Sequence, residues 1–94
     1  MNNLSDIRNE IDNIDKELVY LFEKRMDLVR SVIEYKIKNN LEILDADREN
    51  LILKKNKNLL INKEYSEYVD DLFLEIMKVS RNMQNNILKE KNHE

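Results

Sequence analysis

The chain has no glycine, no proline and no cysteine, and it has one alanine, Ala46, and one histidine, His93. Without the two strongest breakers of regular structure it has few means of making tight turns. Strands need such turns often, whereas helices can end on asparagine, so the sequence predicts an all-α fold. The missing cysteines exclude a disulfide framework and thiol chemistry. No apolar run approaches the ~20 residues of a membrane span. The residues from Met1 to Asp6 lack the charged and apolar regions of a signal peptide, so a cytoplasmic location is expected. Sixteen Lys and Arg against nineteen Asp and Glu leave a net charge of −3, which argues against a general nucleic-acid binder with its basic face. Ninety-four residues suit one domain and not two independent cores.

What is present is helical periodicity. Apolar residues step by fours and threes through Ile7, Ile11, Ile14, Leu18 and Leu21, and resume at Leu28, Val32 and Tyr35. Arg25 occupies the place in that seam where a leucine is expected. Ser5 is the expected N-cap and Asn39-Asn40 the expected stop, giving a first helix of about 6–38. Its length, about 50 Å at ~1.5 Å per residue, exceeds the ~35 Å width of a compact chain this size, whose radius of gyration would be about 13 Å. A seam of buried type along so long a helix predicts a second chain, and hence an intertwined homodimer. A second helix is expected over about 46–57 with Asp45 as cap, and a third over about 64–88 with Asn62 as candidate cap. The charged tail 89–94 is expected to fray.

The third helix carries two stripes. One, Tyr65, Val69, Leu72, Ile76, Val79 and Met83, is apolar or aromatic throughout; its neighbour, Phe73, Met77, Ser80, Gln84 and Ile87, is interrupted by polar residues. Arg25, Arg8, Lys36 and Arg48 are the cations to weigh against these interruptions. Arg8 and Arg25 stand about 25 Å apart on one straight helix, so they meet at one ligand only if Arg8 comes from a partner chain. Plainer readings exist for each residue: Arg25 paired with a buried acid or snorkelling to water, Arg8 and Lys36 solvated, Asp45 a simple cap, Ser80 and Gln84 bonded locally, and His93 idle in the tail. Taken together the residues describe an anion-binding polar pocket. It holds no activated nucleophile, metal-ligand cluster or histidine base, so any reaction there would rest on orientation and charge stabilisation.

Over nearly its whole length the chain resembles the all-helical chorismate mutases. The resemblance is carried by Ile7-Arg8-Asn9-Glu10-Ile11-Asp12-Asn13-Ile14-Asp15, Lys24-Arg25-Met26-Asp27-Leu28, Lys36, Asp45-Ala46-Asp47-Arg48-Glu49, and Ser80 with Gln84. Leu41-Glu42-Ile43-Leu44 departs from the family, which often has proline there. The resemblance implies a small homodimer that rearranges chorismate to prephenate in phenylalanine and tyrosine biosynthesis, without a cofactor or metal. It implies that Arg25, Lys36 and Arg8 of the partner chain hold the substrate carboxylates, and that Lys36 and Gln84 donate to the ether oxygen. Glu49 would accept from the substrate hydroxyl, Ser80 would contact the ring carboxylate, and Asp45 and Arg48 would shape the pocket. Two other readings share the fold: an isochorismate pyruvate lyase, which tends to lack an acid at the position of Glu49, and a non-catalytic regulatory or dimerisation module. A partner enzyme of the same pathway is compatible with all of them.

Overall fold

In the computed structural model, which describes residues 3–93, the regular elements are three α-helices and one short 3-10 turn. The first helix, α1, spans Leu4–Lys38. Its N-cap is Asn3, whose side chain accepts from the Asp6 backbone N–H at 2.9 Å, so Ser5 lies inside the first turn and does not cap it. Asparagine caps as well as serine does, and Asp6 then sits in the first turn, where the positive helix end favours an acid.

The helix stops on a Schellman motif. Asn40 N–H bonds the Ile37 carbonyl and Leu41 N–H bonds the Lys36 carbonyl, with Asn40 in the left-handed region at φ 55°. Glycine usually takes that place; in a chain without glycine, asparagine is the residue that accepts the conformation most easily.

Helix α2 spans Ala46–Leu59, and Asp45 caps it by accepting from the Arg48 N–H at 3.0 Å. Asn62 caps the turn Lys63–Tyr65. At the end of α2, Lys63 Nζ reaches back to the Asn58 carbonyl and to the Lys57 carbonyl, which also accepts from the Leu60 N–H.

Helix α3 spans Ser66–Asn92. It begins two residues later than expected, because the segment from Lys63 is wound as a 3-10 turn, and it ends four residues later. Lys89 to Asn92 thus belong to the helix, with Lys89 and Lys91 placed where the negative helix end favours cations. Glu94 lies outside the described residues.

Helices α1 and α2 pack mainly on α3 and little on each other. Ion pairs tie α2 to α3 in antiparallel register, Glu49 with Arg81 and Lys57 with Asp70. Arg25 meets Ser80 while Ile37 shares a cavity with Asn92, so α1 and α3 run in the same direction. The buried centre is small: Ile33, Met77 and Ile87, with Ser80 and Gln84 beside them. The polar-interrupted stripe of α3 is thus its innermost face. Residues 3–24 contain no buried or half-buried position, so the first part of α1 projects away from α2 and α3. The molecule measures 58 × 26 × 15 Å. No helix among the described residues is long and apolar enough to cross a membrane.

Candidate functional site

Because α1 and α2 both lean on α3, a groove is left between them with α3 as its floor. It forms a cavity of about 290 Å³. From α1 come Arg25, Leu28, Val29, Val32 and Lys36, from α2 come Arg48 and Ile52, and the floor is Met77, Ser80 and Gln84. Helical spacing explains the grouping: Arg25, Val29, Val32 and Lys36 follow one another by fours and threes, as do Met77, Ser80 and Gln84. Among the described residues, three cations line this cavity and no carboxylate does. A larger cavity of about 470 Å³ lies under the α1–α2 loop, lined by Asn40, Glu42, Asn85 and Asn92 among others, with Lys36 as its one cation.

Arg25 Nη1 donates to the Ser80 hydroxyl at 2.8 Å, and that hydroxyl donates onward to the Ile76 carbonyl at 2.9 Å. Arg25 has no carboxylate partner among the described residues. Burial, and secondarily the neighbouring Arg48, push its pKa below the usual arginine value. The group stays cationic regardless, so the fold holds a charge there that it does not neutralise.

Lys36 Nζ donates to the Ile43 carbonyl at 2.6 Å. Its own carbonyl accepts from Leu41, so the α1–α2 loop grips this residue at both ends. One of three ammonium protons is used, and two remain free to donate. Gln84 Nε2 donates to the Ser80 carbonyl at 3.3 Å, while its Oε1 is buried with no hydrogen-bond partner. An orphaned amide oxygen is costly in a finished core and is expected where a ligand arrives.

The remaining residues singled out from the sequence lie elsewhere. Asp45 caps α2 and lines a neighbouring cavity together with Lys36. Glu49 does not line the cationic cavity; Arg81 Nη1 donates to both of its carboxylate oxygens at 2.5 Å. Arg8 is exposed near the far end of α1, about 25 Å from Arg25. The sequence reading passed over Arg81, which adjoins Ser80. Its only signal there was a cation beside the interrupted stripe, and its partner is fixed by the α2–α3 register.

The chorismate mutase type II family matches residues 7–85. The chain belongs to that family. Among curated relatives, it is 44% identical over 80 residues, 84% of its length, to the bifunctional chorismate mutase/prephenate dehydratase of Buchnera aphidicola subsp. Schizaphis graminum. It is 40% identical over 91 residues, 94% of its length, to the protein of the same name from Buchnera aphidicola subsp. Acyrthosiphon pisum. A T-protein of Haemophilus influenzae is 45% identical over 49 residues, 52% of this chain and 13% of that protein. The chain spans only 21% and 23% of the length of the two Buchnera proteins. No solved structure gives a significant match. Within this type II chorismate mutase chain, the groove between α1 and α2 lies wholly inside the matched segment.

Proposed function

We propose that the chain is a chorismate mutase, converting chorismate to prephenate in the cytoplasm as a step towards phenylalanine and tyrosine. The observation that carries this reading is the cationic cavity: Arg25, Lys36 and Arg48 converge, with no acid among the described lining residues, over a floor that offers Ser80 and the second N–H of Gln84 Nε2. Such a site has room for a small dianion, and no base among its described lining residues activates a nucleophile. That suits a one-substrate pericyclic rearrangement, in which nothing need attack the substrate.

Arg25 and Lys36 bind the carboxylates and, with Arg48 shaping the wall, select the compact conformer in which the bonding carbons meet. Lys36 and Gln84 donate to the ether oxygen as the C–O bond breaks and negative charge grows there. Neither gives up its present bond, because each has a donor to spare. Glu49 accepts from the substrate hydroxyl, and Asp45 holds the start of α2 so that Arg48 keeps its place. A second copy of the chain, packed along the exposed seam of α1, brings its Arg8 to the open end of the site. An antiparallel meeting of two long helices closes the distance that one chain cannot.

Following chorismate and isochorismate separately, with product identification, tests the reading. Consumption of chorismate with formation of prephenate is expected; release of pyruvate from isochorismate alone would assign the pocket to a lyase. Turnover of neither by the folded dimer would leave the regulatory-module reading.

A further inference from the structure

Glu49 raises a problem that its neighbours make acute. It follows Arg48, which lines the cavity, and Arg25 and Lys36 complete a cation cluster with no acid of its own. A flexible carboxylate beside such a cluster is drawn into it, since unlike charges attract strongly where water is scarce. Once there it would fill the place meant for the substrate's anion. The site would neutralise itself.

Arg81 is placed to oppose this. It lies on α3 directly after Ser80, and its Nη1 donates to both oxygens of Glu49 across the α2–α3 interface. The two side chains are 30% and 23% exposed, so water screens the pair only in part. A single nitrogen bridging both oxygens leaves further lone pairs on the carboxylate. Glu49 is therefore restrained without being exhausted as an acceptor. We propose that Arg81 is a positioning residue that holds the Glu49 carboxylate out of the cationic cavity and fixes it for the substrate hydroxyl. The proposal rests on the chorismate mutase reading for the identity of the anion and the hydroxyl.

The test is a double-mutant cycle on the full chain, read as KM and kcat for chorismate. Arg81→Met keeps the aliphatic stem and removes the charge; it is expected to raise KM about tenfold as Glu49 turns on the cations and competes with substrate. In a Glu49→Gln background the side chain carries no charge to compete, so adding Arg81→Met should change KM by less than about twofold. Arg81→Lys, which keeps a cation, should fall between wild type and Arg81→Met. A purely structural role for Arg81 would give the same loss in both backgrounds, and that result, or no change in KM for Arg81→Met, overturns the proposal. If Arg81→Met does not fold by circular dichroism, Arg81→Gln takes its place in the same cycle. Malonate separates this proposal from the reading beneath it. Its stabilisation of the dimer against heat should be weaker in Arg81→Met and restored by adding Glu49→Gln, even if the wild type does not turn over chorismate. Equal malonate stabilisation in wild type and Arg81→Met would count against Arg81 alone.

Discussion

Arg25 is a part-buried cation whose side-chain partner is a hydroxyl, Ser80. No carboxylate among the described residues pairs with it, and burial together with Arg48 lowers its pKa. The sign of the linkage follows: folding disfavours the charged form, so the cost is present at every pH below the lowered pKa, which includes the whole neutral range. Replacing Arg25 by Met should leave Tm unchanged or raise it by up to about 4 °C, because the Ser80 hydroxyl keeps its bond to the Ile76 carbonyl. The same substitution should lower kcat/KM for chorismate by about a hundredfold or more. Thermal melts and steady-state kinetics on the one variant check both halves; a large fall in Tm would mean that Arg25 is a structural residue after all. Legibility at this scale was uneven. The interruption of an apolar seam marked Arg25, and the interruption of a stripe marked Ser80 and Gln84. Arg81 interrupts nothing, and its pairing with Glu49 depends on the register of two helices far apart in sequence.

Among the elements, asparagine and aspartate bound α1 and begin α2, and after α1 an asparagine takes the place where glycine is usual. Asn3, Asp45 and Asn62 all cap through their side chains, and Asn40 takes the left-handed place after α1. The periodicity and the Asp45 cap were readable in advance; Asn62, expected to cap the third helix, caps the 3-10 turn before it, and α3 starts at Ser66 with no side-chain cap. The start of α1 was misplaced because Asn3 and Ser5 are both good caps, and only the geometry of the turn chooses between them. Asn39-Asn40 was legible as a stop, but not which of the two would adopt the left-handed conformation. That conformation carries a prediction. Asn40→Val should destabilise the fold by about 1–2 kcal/mol, whereas Asn40→Gly should be nearly neutral; denaturant titration of both variants measures the difference. Because the same loop grips Lys36 through the Leu41 N–H and the Ile43 carbonyl, the valine variant should also lose turnover while it remains folded.

For the whole molecule, the single chain is extended and leaves an apolar seam uncovered. Its radius of gyration is 16.9 Å, against about 13 Å for a compact chain of this length. Ile7, Ile11, Ile14, Leu18 and Leu21 are all exposed, as are Leu28, Val32 and Tyr35 beyond Arg25. Contiguous apolar surface on that scale marks an interaction face. The long helix and its seam were evident from the sequence, and so was the mismatch between that helix and a globule of this size. A second chain along this seam, as proposed, would put Arg25 of one chain and Arg8 of the other at one site. Refolding Arg8→Ala and Arg25→Ala chains together as a mixed population tests this most directly. Each homodimer should be inactive, and random pairing gives about half heterodimers, each with one intact site, so about one quarter of wild-type activity should return. Demonstrated heterodimers with no recovered activity would contradict the shared site.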